Sequence, residues 1–245
     1  MAKVIWLMQR VDAPEILDSE SCPADQVQPT LQTLDRINRW FGGVSTTQKM
    51  VERVAAATGM EHLSLLEVAA GSGVVPQVVR EKLAARGISL AVTLLDRDRA
   101  HLPRCQSEGC AGENHRVAAD ALALPLADEA FDLVSCNLFA HHLAPAELCQ
   151  FVAESLRVSR HAVLINDLVR HPLHLGLAYA SYPLMGSRVA WLDGLTSVRR
   201  SYVPDEMRNV LAPALPPAQI EISRGYLFRM GVIVWKNAPD AARRP

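Results

Sequence analysis

The sequence predicts an α/β fold in which a mostly parallel seven-stranded sheet carries helices on both faces. Three observations predict it. Between residues 60 and 168, short runs of buried-strand residues alternate with amphipathic stretches, the rhythm of parallel strands joined by helical crossovers. The first strand runs directly into Gly71-Ser72-Gly73 and a helix start, in "SLLEVAAGSGVVPQVVREKL" (64–83). Near the end, "AQIEISRG" and "YLFRMGVIVWKN" follow one another with no helix between them, as an antiparallel pair at a sheet edge does.

Taken in order, residues 1–60 read as an N-terminal helical extension. Pro14, Pro23 and Pro29 break any long helix before Thr30. From there "LQTLDRINRWFGG" puts Leu31, Leu34, Ile37, Asn38 and Phe41 on one helical face, and Gly42-Gly43 ends it. "TTQKMVERVAAATG" is a second helix, closed by Gly59. Residues 61–245 form the main domain. Its strands are "LSLLEVA", "SLAVTLLD", "HRVAAD", "AFDLVSCNLF" and "HAVLIND", with helices expected in "VPQVVREKLAARG", "RDRAHLPRC" and "PAELCQFVAESLRVS". After the fifth strand the rhythm breaks. Residues 170–200 read as a helical insertion of two pieces, and Tyr179, Tyr182, Met185 and Trp191 are expected to cover a substrate pocket. "VPDEMRNVLAPAL" is a last helix, with Asp205 and Glu206 in its first turn.

The bulk properties narrow the function. With 245 residues and 49% hydrophobic content the chain can fill one sizeable core. A net charge of −1, with both signs scattered, provides no footprint for nucleic acid or an anionic membrane. No apolar run reaches the roughly 18 residues of a membrane span, and a cytoplasmic protein, monomer or homodimer, is expected. The five cysteines form no disulfide framework. His101, Cys105, Cys110 and His115 could surround zinc, but four residues separate the cysteines where structural sites favour tight two-residue knuckles. No metal is expected.

What, then, does the glycine turn hold? A dinucleotide fingerprint needs a third glycine, and that position is Pro76. A P-loop needs a lysine at the turn, and none occurs before Lys82. An acid ending strand one (Glu67), then Gly71 and Gly73, then an acid ending strand two (Asp96), is a different pattern. With "ADALALPLADEAFDLVSCNLFAHHL" after it, the order resembles the class I S-adenosylmethionine-dependent methyltransferases, and within them the type 11 group that includes quinone-biosynthesis enzymes. The resemblance covers residues 60–168. It implies a Rossmann-like sheet and S-adenosylmethionine as cofactor. Asp96 would bind the ribose hydroxyls, since a carboxylate accepts two hydrogen bonds at once. Asp120 and Ala121 would take the adenine. Glu67, Ala69, Ser72, Arg97 and Asn137 would complete the cofactor's surroundings with Gly71 and Gly73. One departure stands out: the family's usual glycine is Ala69 here.

The same resemblance sets the chemistry. A methyl group on a sulfonium needs an aligned acceptor and little water. A phenol, with pKa about 10, also needs a base. His141 and His142 follow strand four, and His142 is the first choice for that base by the type 11 pattern; Asn166, Asp167, His171 and His174 stand in reserve. The expected activity is O-methylation of a small, phenolic or other aromatic molecule. C-methylation of a quinone-like ring is an alternative, as is a non-catalytic regulatory binder of S-adenosylmethionine.

Overall fold

The computed structural model describes residues 8–17, 22–102, 115–216 and 219–238. Two helices, α1 (Ala24–Trp40) and α2 (Gly43–Thr58), precede β1 (His62–Val68), α3 (Val74–Ala84), β2 (Ser89–Asp96), β3 (His115–Ala118) and β4 (Phe131–Asn137). A single 3-10 turn (Ala140–His142) leads to α4 (Pro145–Val158) and β5 (Ser159–Leu168). Then come α5 (Pro172–Ala180), α6 (Tyr182–Met185), α7 (Arg188–Arg200), α8 (Pro204–Leu211), β6 (Ile220–Arg224) and β7 (Arg229–Trp235).

The seven strands lie in the order β3-β2-β1-β4-β5-β7-β6. The first five are parallel, and β7 runs antiparallel between β5 and β6. This is the Rossmann-like α/β architecture expected from the sequence. Period-two alternation along the strands divides the core between the two faces. Leu63, Leu65, Leu133 and Leu164 pack with Val51 and Val54 of α2 and Val79 and Leu83 of α3. Leu66, Val134, Val163 and Ile165 face Phe151 of α4 and Met207 of α8. The strand order reverses between β1 and β4, and in open sheets of this kind the crevice outside the carboxyl ends at that point is where ligands bind.

Local details depart from expectation in four places. Helix α1 starts at Ala24 rather than Thr30 and carries Pro29 inside it; the proline forgoes one backbone bond, while packing of Leu31, Thr33 and Asn38 holds the helix. Phe41, expected on the buried face, is 46% exposed because the helix ends at Trp40 and Gly42 turns the chain at φ +86°. Residues 97–102 make turns, not a helix, as the Asp98 carboxylate accepts the Ala100 amide at 2.8 Å, a local competitor to helical bonding. The insertion holds three helices where two were expected. Tyr179 and Tyr182 pack edge-on against Trp191, whose Nε1 donates to the Ala178 carbonyl at 3.0 Å. Among the described residues no helix is long and apolar enough to cross a membrane.

Candidate active site

Glu67 ends β1 on the face that α2 covers, and it is 1% exposed. Asn137 Nδ2 donates to its Oε1 at 2.6 Å, and the Ser135 hydroxyl donates to its Oε2. Burial nevertheless pushes this carboxyl up to about 7, against the pull of those two bonds. The chain of contacts continues outward. Thr47 of α2 donates to Asn137 Oδ1 at 2.8 Å, and Asn166 Nδ2 donates to Thr47 Oγ1 at 2.9 Å and to the Gly43 carbonyl at 2.7 Å. The carboxyl ends of β1, β4 and β5 are thereby stitched to the first turn of α2. Asn166 Oδ1 is buried with no partner among the described residues.

The loop after β1 enters left-handed backbone at Ala69 (φ +52°), Gly71 (+51°) and Gly73 (+68°). Asp96, at the end of β2, accepts the Gly71 amide at 2.9 Å through one oxygen and the Asp98 amide at 3.0 Å through the other. A Cβ placed on Gly71 would meet only open space, whereas on Gly73 it would lie 2.5 Å from Leu94 Cδ1. The second glycine therefore lets the loop sit against the sheet, and the first leaves room in front of it. Ser72 donates to Asp35 of α1 at 2.5 Å, so the N-terminal extension touches this loop; burial raises the Asp35 carboxyl above its usual range. Beside Asp96, the Ala119 amide reaches its carbonyl at 3.1 Å, bringing up the turn where exposed Asp120 accepts the Leu122 amide at 2.9 Å. Ala121 is buried there and Arg97 is exposed.

A second cluster follows β4. His141 is 1% exposed, with Nδ1 2.7 Å from Asp167 Oδ1 and Nε2 3.2 Å from Glu15 Oε1. Asp167 also accepts the His141 backbone amide at 2.8 Å. Burial alone would lower this imidazole, but the Asp167 charge and hydrogen bond, with those of Glu15, raise it to about 10. Burial conversely pushes both carboxyls up, and the histidine overcomes it, so Glu15 and Asp167 lie below their usual range. His142 is partly exposed and stacks on Phe139, and its Nε2 lies 3.7 Å from Glu15 Oε1.

The residues expected at the glycine turn are thus brought together by direct bonds: Glu67 with Asn137, and Gly71 with Asp96, with Ala69, Ser72 and Gly73 in the same loop. Asp120 and Ala121 stand next to them across β3. His171 and His174 instead both stack on the Phe228 ring, each centroid 5.0 Å away. Of the proposed zinc cluster, Cys105 and Cys110 lie outside the described residues. Sequence reasoning missed Glu15, Asp35, Thr47 and Ser135. Ser135 carried a usable signal, lying two residues before Asn137 on one strand and hence on the same face; the others come from the N-terminal extension, where nothing local marks them.

The methyltransferase domain family matches residues 66–164. No curated protein matches the chain. Among solved structures, the plantazolicin methyltransferase BamL, in complex with a triazolic desmethylPZN analog and SAH, is 13% identical with a TM-score of 0.60, over 86% of this chain and 90% of that one. Human N-acetylserotonin methyltransferase in complex with SAM is 11% identical with a TM-score of 0.59, over 92% of this chain and 63% of its own length. A SAM-dependent methyltransferase from Aquifex aeolicus is 15% identical with a TM-score of 0.50, over 85% and 98%. At these identities the likeness is one of fold.

Proposed function

We propose that the chain, whose residues 66–164 match the methyltransferase domain family, is a class I S-adenosylmethionine-dependent methyltransferase that methylates an oxygen of a small, phenolic or otherwise aromatic acceptor. The observation carrying this reading is the pairing of two clusters on one edge of the sheet. Glu67, Gly71 and Asp96 line the strand-order reversal, and the histidines follow the next strand, β4.

The first cluster fits the cofactor. The room in front of Gly71 and the Asp96 carboxylate beside it make a polar cradle. Asp96 would hold the ribose hydroxyls, and Asp120 and Ala121 would take the adenine, with Asp120 accepting from its amine. Ala69, Ser72, Gly73, Arg97, Asn137 and Glu67 would complete the cradle. Bound S-adenosylmethionine supplies a methyl group on a positively charged sulfur. The chain's own residues have to hold the acceptor, exclude water and move one proton.

That proton is the reason for assigning His142. A phenol keeps its proton at neutral pH, and His142 offers a partly exposed imidazole, with Nε2 3.7 Å from Glu15 Oε1 and the ring stacked on Phe139. His141 serves as a positioning residue. Held by Asp167 and Glu15, it carries positive charge with its ring 4.3 Å from that of His142, which favours a developing phenolate nearby.

Calorimetry with S-adenosylhomocysteine, then radiolabelled methyl transfer to a panel of phenols, tests the reading. Binding with turnover on a phenol, lost in His142→Ala while cofactor affinity holds, is the expected result. Transfer only to carbon of quinone-like rings overturns the O-methylation assignment. Binding with no turnover on any acceptor would identify a regulatory binder, a reading that the alanine at φ +52° favours.

A further inference from the structure

Glu15, His141 and His142 offer more than a proton relay. One ligand atom from each lies within 4.8 Å of the other two. Glu15 Oε1 stands 3.2 Å from His141 Nε2 and 3.7 Å from His142 Nε2. An ion bound tetrahedrally at about 2.0–2.1 Å holds its ligand atoms about 3.3–3.4 Å apart. Closing the three atoms around a cation therefore requires side-chain rotation, chiefly of the partly exposed His142.

We infer that Glu15, His141 and His142 form a binding site for a divalent transition metal of the zinc class. Two imidazoles with one carboxylate are a zinc donor set, while magnesium and calcium favour all-oxygen shells. An independent observation is the support behind the first ligand. Asp167 Oδ1 lies 2.7 Å from His141 Nδ1 and its other oxygen accepts the His141 amide. A histidine that ligates a metal through one nitrogen almost always gives the other nitrogen's hydrogen to such a carboxylate, which fixes the ring's direction. Here that leaves Nε2 facing Glu15, and the proton that Nε2 carries in the metal-free chain is released to solvent when the ion binds. The carboxylate is positioned too: the Ser197 hydroxyl donates to Glu15 Oε1 at 2.8 Å.

The three ligands come from two segments that are already joined. Arg10, upstream of Glu15, donates from Nη2 to the carbonyls of His141 and Leu143, both at 2.9 Å, and from Nε to the Arg200 carbonyl at 2.6 Å. An ion would add a second clasp between this N-terminal strap and the turn after β4. It would also occupy His142. On the preceding reading that residue takes the acceptor's proton, so the metal inhibits transfer; the binding site itself does not depend on that reading.

The test uses the full chain, stripped with a chelator and titrated with zinc chloride by calorimetry and native mass spectrometry. One zinc per chain is expected, weakened at least about tenfold in Glu15→Gln and in His142→Ala, and unchanged in a Cys105→Ser, Cys110→Ser double variant. No saturable binding overturns the site, as does binding that survives His142→Ala or vanishes with the cysteines. Circular dichroism checks folding; should Glu15→Gln misfold, the partly exposed His142 position decides. Zinc is further expected to suppress methyl transfer reversibly by chelator. Turnover indifferent to bound zinc overturns the inhibitory role. Zinc bound with no turnover at all fails the functional reading and leaves the site standing, while turnover without zinc binding does the opposite.

Discussion

The Asp96 carboxylate accepts the Gly71 amide at 2.9 Å across 25 residues, tying the end of β2 to the loop after β1. Its second oxygen takes the Asp98 amide. In Asp96→Asn one of these acceptors becomes an N–H facing another N–H, which costs about 1–3 kcal/mol for an unsatisfied buried donor. We expect that loss in urea unfolding, with S-adenosylhomocysteine affinity reduced at least about tenfold because the same carboxylate is proposed to hold the ribose. Unchanged affinity in calorimetry would remove Asp96 from the cofactor site.

Two glycines in the loop separate stability from binding. Both have left-handed backbone, so a methyl group at either costs about 1–2 kcal/mol. At Gly71 nothing surrounds the added carbon, and the main loss should appear in cofactor affinity. At Gly73 it collides with Leu94, buried in the core, and overpacking adds about 1–3 kcal/mol. Thermal melts should therefore rank Gly73→Ala well below Gly71→Ala, and the reverse ranking would contradict the loop geometry.

Ala69 holds φ +52° where glycine would be unstrained. Removing the methyl relieves about 1–2 kcal/mol of steric strain and returns part of it as unfolded-chain entropy. Ala69→Gly should stabilise the protein by about 0.5–1 kcal/mol, read as a rise in denaturation midpoint. A fall would mean that the alanine side chain is held by contacts worth more than the strain.

Glu67 makes stability depend on pH. Its carboxyl is raised from 4.5 to about 7 by burial, so the folded chain keeps a proton that the unfolded chain releases. The resulting stabilisation is fully present below pH 4.5 and is lost as pH rises through about 7, a decline of about 3 kcal/mol. Glu67→Gln stays neutral and can still serve Ser135 and Asn137 with one donor and one acceptor. Urea unfolding at pH 5 and pH 8 should show a smaller drop for Glu67→Gln than for the parent chain. Equal drops would sink the assignment.

His142→Ala should lower kcat by about 10²–10⁴, with the S-adenosylmethionine dissociation constant unchanged. Full turnover in the variant would assign proton removal to another group, or to solvent.

The strands were legible because their signals are local. Short, largely apolar runs such as "LSLLEVA" and "SLAVTLLD", and glycines where the backbone turns left-handed, announce a strand and a turn wherever they occur. Pro29 misled for the same reason: read locally it breaks a helix, yet packing of Leu31 and Asn38 carries α1 across it. Residues 97–102 failed in the opposite sense. Their helical pattern lost to a short Asp98 side-chain bond.

The sequence by itself determined the order of strand, glycine turn and terminal acid, and hence which residues could meet at the carboxyl edge, since periodicity and turn geometry act within a few residues. Only the tertiary structure decided that His141 lies between Asp167 and Glu15, the latter 126 residues away, and that Asp35 reaches Ser72. Such partners depend on strand order and on how the N-terminal strap crosses the finished sheet. Those are long-range consequences of burial, and no short stretch of residues carries them.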